Sequence, residues 1–119
     1  MINELEKLEI VRESWLLPYK DQRLSYDFLT HELIIHDRAV RLTPIPDQIL
    51  STLLLSPGRA IAYSVFDNWR SENRLVTVDN RLSAQITILR GKIDLPGTYI
   101  TKSAIKSVSK FGYKYIPLK

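Results

Sequence analysis

The sequence predicts an α+β fold: a small antiparallel sheet first, three helices next, and a basic β-hairpin at the end. Three observations carry that prediction. Residues 10–43 are short runs rich in β-branched and aromatic side chains, broken by polar clusters, which is the texture of short strands. From Thr77 to Ile93, an advance of about 100° per residue puts Val78, Leu82, Ile86, Leu89 and Ile93 on one narrow stripe, as in an amphipathic helix. Charge is segregated as well. Residues 1–78 hold nine Lys/Arg against eleven Asp/Glu, whereas residues 79–119 hold eight against two.

Length and composition narrow the classes. A chain of 119 residues suits one domain with a single modest core. At 45% hydrophobic and 25% charged residues the composition is that of a soluble globular protein. The absence of cysteine excludes disulfides, Cys-ligated zinc and thiol catalysis. The longest apolar run, Ile49 to Leu55, is interrupted by Ser51 and Thr52 and falls far short of the ~20 residues of a membrane span. The first nine residues, MINELEKLE, are acidic and polar, unlike the basic start of a secretory signal.

The elements follow in order. Residues 1–9 show no clear amphipathic face and are expected to be partly disordered, leaving residues 10–119 as the folded domain. Ser14–Leu17, Ser25–Thr30, Leu33–His36 and Val40–Leu42 read as four antiparallel strands, with turns at Tyr19–Gln22 and at His36-Asp37-Arg38. Thr43 is placed to cap a helix. Pro44 and Pro46 fall in its first turn, where amides lack intrahelical partners, and Ile45, Ile49, Leu50, Leu53 and Leu54 form its apolar side. Ser56-Pro57-Gly58 stops it. Arg59–Ala62 reads as an extended link. Tyr63–Trp69 reads as a short helix with Val65, Phe66 and Trp69 inward, and a polar loop, Arg70–Arg74, leads to the helix over Thr77–Ile93. Ala104–Val108 and Gly112–Ile116 then pair as a hairpin turning at Ser109-Lys110-Phe111.

The helix over Thr77–Ile93 has two contrasting faces. Thr77 suits its N-cap and Asp79 the positive end of its dipole. Opposite the apolar stripe lie Asn80, Ala84, Thr87, Ile88 and Gly91, flanked by Arg81, Gln85, Arg90 and Lys92. Such a small, basic outer face can enter a DNA major groove, and the excess of positive charge in residues 79–119 calls for a polyanion. Lys102, Lys106, Lys110 and Lys114 recur every four residues, an unpaired basic surface if the segment is strands. The scarcity of acids after Asp79 favours a phosphate or base-edge partner for Arg90 over a carboxylate. Two helices ahead of this one and a basic hairpin behind it make the winged helix-turn-helix arrangement.

At this level of detail residues 33–118 resemble the OmpR/PhoB-type winged-helix DNA-binding domains, and within them most the ToxR/CadC-like regulators. The resemblance rests on Leu42-Thr43-Pro44, on Ile49-Leu50 and Leu53 followed by Pro57-Gly58, and on Trp69. It continues through Asp79-Asn80, Gln85-Ile86, Leu89-Arg90 and Ile93, and ends in Ile105, Val108 and Lys110-Phe111-Gly112-Tyr113-Lys114. It implies a four-stranded N-terminal sheet, a three-helix core and a C-terminal wing. It also implies sequence-specific binding of double-stranded promoter DNA in transcriptional control, with the third helix in the major groove and the wing on phosphates or the minor groove. Contacts implied by the family fall on Gln85, Thr87, Ile88 and Arg90 and on Ser107, Ser109 and Tyr113. The basic and small outer positions add Asn80, Arg81, Ala84, Lys92, Lys106, Lys110 and Lys114. Ile88 stands where many members carry arginine, and Gly91 where they carry a basic residue. In the ToxR/CadC-like branch the DNA domain is cytoplasmic and precedes an inner-membrane helix, so such a helix is an expectation for sequence beyond residue 119.

No catalytic set can be assembled. His31 and His36 are five residues apart in a strand region, hence on opposite faces, and the two Pro-Gly turns lack the glycines of a phosphate loop. The chain is therefore read as non-enzymatic, without cofactor, metal or small-molecule substrate. RNA polymerase and a second copy on DNA are the further partners this pattern allows. The rival reading is a degenerate winged helix acting through protein contacts, for dimerisation or polymerase recruitment, and the apolar Ile88 beside Gly91 is the feature that favours it.

Overall fold

The computed structural model describes residues 17–66 and 82–119. It divides into two compact units, Met1–Arg41 and Leu42–Lys119.

The first unit is an antiparallel meander of β1 (Tyr19–Lys20), β2 (Leu24–Tyr26), β3 (Leu33–Ile35) and β4 (Arg38–Val40), paired in that order. Alternation decides its faces: Leu24, Tyr26, Leu33 and Ile35 are buried while Ile34 faces out. Aspartates build the turns. Asp21 Oδ1 accepts the Arg23 and Leu24 amides at 2.7 and 3.0 Å, and Asp27 Oδ1 accepts those of Leu29 and Thr30 at 2.8 and 3.2 Å. That second turn is why the strand expected over Ser25–Thr30 ends at Tyr26: the Asp27 carboxylate offers nearby amides an alternative to a ladder. The turn expected at His36-Asp37-Arg38 narrows to His36-Asp37, both at positive φ (49° and 66°), with Ile35 opposite Arg38. Two such residues make the mirror-image turn that matches strand twist. The last strand consequently starts at Arg38, earlier than the Val40–Leu42 expected. Tyr19 and Lys20, expected in a turn, form β1, whereas Ser14 to Leu16 and residues 1–9 lie outside the described residues.

The second unit opens with α1 (Pro44–Leu54), as the sequence predicts. Thr43 precedes it in extended conformation. Its carbonyl accepts the Asp47 amide at 3.1 Å, while its side chain makes no capping bond. Gly58 ends the region at φ 81° and donates its N–H to the Tyr115 carbonyl at 2.8 Å. The stretch taken as a link contains β5 (Ile61–Ala62), followed by α2, described over residues 63–66. Phe66 is buried there, but Val65 is exposed, contrary to the inward side expected of it. The remainder comprises α3 (Leu82–Ile93), a 3-10 turn at Ile100–Lys102, β6 (Ile105–Val108) and β7 (Gly112–Tyr115). Helix α1 packs on α3 and on β7. Leu50, Leu53, Ile86, Leu89, Ile105 and Tyr115 form the fully buried centre.

The C-terminal sheet runs β5-β7-β6, antiparallel throughout. A two-residue strand whose partner lies far downstream leaves no periodic trace, so β5 is not legible in the sequence. Its fit depends on Gly112, opposite Ala62. A Cβ at Gly112 would lie 1.7 Å from the Ile61 carbonyl oxygen. Gly112→Ala is therefore expected to force β5 off β7 and to cost about 3 kcal/mol, the upper end for overpacking. Denaturant unfolding checks the cost, and amide exchange of Tyr63, which donates to the Phe111 carbonyl at 2.9 Å, reports the detachment.

Candidate nucleic-acid interface

The interface begins with the two faces of α3. Leu82, Ile86, Leu89 and Ile93 are buried, so the apolar stripe points into the core as predicted. Ser83, Thr87, Ile88, Gly91 and Lys92 are exposed and Ala84 half-buried. The Thr87 hydroxyl donates to the Ser83 carbonyl at 3.0 Å. Nothing lies within 4 Å of where a Cβ on Gly91 would sit. Thr77, Val78, Asp79, Asn80 and Arg81 fall outside the described residues.

Three predicted contact residues sit differently from expectation. Gln85, expected on the flank of the outer face, is 6% exposed. It lies three residues after Leu82 and four before Leu89, and that spacing puts it beside the buried stripe. Arg90, expected to meet phosphate or a base edge, is held within the chain. Its Nε and Nη2 donate to the Ile105 carbonyl at 3.0 and 2.9 Å, Nη2 also reaches Ser107 Oγ at 3.2 Å, and its guanidinium lies 6.0 Å from the Tyr113 ring centre. Tyr113, expected at the wing surface, is buried, with Tyr63 and Phe66 edge-on to its ring at 5.6 and 6.4 Å. These contacts strap α3 to β6 and β7.

The Tyr113 hydroxyl pKa is raised above the ordinary 10.0, first by burial and next by Tyr63, with the Arg90 charge opposing. A folded-state pKa above the unfolded one keeps its stabilisation intact below pH 10.0 and loses it as pH rises through the folded value. Alkaline unfolding should therefore be shallower in Tyr113→Phe than in the parent between pH 9 and 11, as followed by circular dichroism.

The hairpin supplies charge. Lys106 and Lys114 stand directly opposite each other on β6 and β7, on the face away from Ile105, Tyr113 and Tyr115. Lys110 occupies the tip at φ 59°, between the exposed Ser109 and Phe111. Lys102 belongs to the 3-10 turn, so the four-residue lysine spacing does not mark one strand face. Residues 82–119 hold seven Lys/Arg and a single acid, Asp94. That carboxylate is engaged: Ser103 Oγ donates to Oδ2 at 2.5 Å and the Ala104 amide to Oδ1 at 2.9 Å. The joint between the end of α3 and the start of β6 was missed in the sequence, although a lone acid in a basic segment is the signal that could have found it. Beside the joint an open groove of about 470 Å³ runs between Thr87 and Gly91 on α3 and Leu95 to Ile100 on the loop.

Comparison with family models and with curated protein sequences finds no match. Solved structures do match. The Klebsiella pneumoniae RstA DNA-binding domain, solved in complex with the RstA box, superposes with a TM-score of 0.66 at 21% identity, over 85% of this chain and 98% of that one. The DNA-binding domain of CpxR from E. coli gives 0.68 at 18%, over 87% and 99%. The Thermotoga maritima response regulator DrrB, an OmpR/PhoB homolog, gives 0.65 at 16% over 93% of this chain, which spans about half of DrrB (52%). The fold is the OmpR/PhoB-type winged helix. In this winged helix α3 is the third helix and β6–β7 the wing. Among the predicted site residues, Ala84, Thr87, Ile88 and Lys92 therefore belong to the outer side of the third helix, and Lys106, Ser107, Ser109, Lys110 and Lys114 to the wing. Among the described residues no helix is long and apolar enough to cross a membrane.

Proposed function

We propose that the chain is a sequence-specific double-stranded DNA-binding domain of a transcriptional regulator, with α3 in the major groove and the wing on phosphates. The observation that carries this is the opposed pair Lys106 and Lys114. Like charges directly across a sheet destabilise it, and the single acid among residues 82–119 is engaged by Ser103 and Ala104. Phosphates would turn that repulsion into attraction. The exposed, short side chains of α3 let the helix approach a groove floor, and the RstA domain of the same fold was solved on its own DNA box. The role is non-enzymatic and cytoplasmic on this reading, since the matching domains are DNA-binding modules.

A second reading is favoured by the exposed Ile88, Leu95, Tyr99 and Ile100, which would suit contacts with protein, whether a second copy or RNA polymerase. Competition separates the two. Duplexes selected from a random pool should displace a random duplex from the full chain at 10³-fold or more lower concentration. Equal displacement by selected and random duplexes would defeat sequence-specific recognition.

A further inference from the structure

We propose that α3 reads its duplex through the 5-methyl groups of thymine and not through hydrogen bonds to guanine or adenine; this rests on the DNA-binding function proposed above. Base recognition by a major-groove helix ordinarily uses Arg, Lys, Asn or Gln in forked contact with purine edges. Among the described residues of α3 those side chains are Gln85, Arg90 and Lys92. Gln85 is buried, and Arg90 spends its Nε and Nη2 hydrogens on the Ile105 carbonyl and Ser107 Oγ. Lys92 lies in the last turn, whereas the groove is read by the N-terminal part of such a helix.

What α3 offers outward is a line of small and apolar groups: Ala84, Thr87, Ile88 and Gly91. The Thr87 hydroxyl is turned back onto Ser83, and Ile88 is 46% exposed. Gly91 leaves open space that lets a base edge or sugar come close. In the major groove the apolar group presented by a base pair is the thymine methyl, while a G·C pair sets O6, N7 and N4 against the helix. An isoleucine over G·C would strip water from those groups without replacing their hydrogen bonds, so the discrimination is partly a penalty against guanine. The surroundings fit a polyanion: Lys92, Lys102, Lys106, Lys110 and Lys114 lie within a segment whose one acid is engaged. That charge favours a duplex over a protein as the occupant of this apolar line.

The test uses the full chain and a duplex selected from a random pool. Thymines of the selected site are replaced one at a time by deoxyuridine, which deletes the methyl and leaves every hydrogen-bonding group in place. The expected result is a site with clustered thymines and a loss of about four-fold in affinity at each one under α3, the worth of one buried methyl-sized group. Ile88→Ala should erase the deoxyuridine effect at one position while leaving the melting temperature and the affinity for the fully substituted duplex unchanged. If deoxyuridine has no effect and 7-deazaguanine weakens binding instead, α3 reads hydrogen bonds; the inference fails while DNA binding stands. If no sequence is enriched, α3 reads no base and the inference again fails. If no duplex binds and the chain sediments as a dimer that Ile88→Asp dissociates, the apolar line is a self-association face, and both the inference and the proposed function fall.

Discussion

Ile86→Ala is expected to lower the unfolding free energy by about 2–5 kcal/mol, the range for removing a buried aliphatic side chain and leaving a cavity. Ile86 is fully buried at the centre of the packing between α1 and α3, so little relaxation can fill the hole. Two residues along the same helix, Ile88→Ala should change stability by no more than about 0.5 kcal/mol, because that side chain is exposed. Duplex affinity should respond in the opposite order under conditions where both variants are folded: Ile88→Ala weakens binding, and Ile86→Ala leaves it near the parent value. Urea unfolding of the two variants, paired with duplex titrations, measures this crossing. Equal destabilisation by both substitutions would mean that α3 has no free outer face.

The second large effect concerns charge. Lys106→Ala together with Lys114→Ala should reduce the slope of log affinity against log salt by about two, one for each phosphate released. Selected and random duplexes should weaken alike, because phosphates position a protein and carry no sequence information directly. Folding stability should hold or rise, since the two ammonium groups face each other across the strand pair. Titrations at four or five salt concentrations with both duplexes read all three outcomes. A loss confined to the selected duplex would instead place these lysines on bases.

Helix α1, the apolar stripe of α3 and the hairpin were legible because their information is local. Pro44 and Pro46 ahead of Ile49, Leu50 and Leu53 mark a helix start by spacing alone, and a three-residue turn between two strands fixes a register. The N-terminal strands were legible in number, but their ends were not. Asp27 and the His36-Asp37 pair set those ends through side-chain bonds and positive φ, which a pattern of apolar residues does not encode. The candidate site was legible as a region and less so residue by residue. Gln85, Arg90 and Tyr113 carry the polarity expected of DNA contacts, yet each is settled by a partner or packing surface. For Arg90 that partner is the Ile105 carbonyl, and for Tyr113 the rings of Tyr63 and Phe66. A helical wheel reports an angle on one helix and says nothing of what a distant strand brings to it. The lysines of the hairpin were legible as a surplus, and only the register shows that Lys106 and Lys114 oppose each other. The expectations for Trp69 as a core residue and for Asn80 and Arg81 as contacts lie outside the described residues.

The most direct measurement is an NMR titration of the isotope-labelled chain with its selected duplex, following backbone amides and isoleucine methyls. With α3 in the groove and the wing on phosphates, the largest shifts fall on Ser83, Thr87, Ile88 and Gly91 and on Lys106, Ser109, Lys110 and Lys114. The buried methyls of Ile49 and Ile86 stay near their free positions. Shifts confined to the meander of residues 17–41, with α3 and the wing unmoved, would contradict the third-helix and wing interface outright.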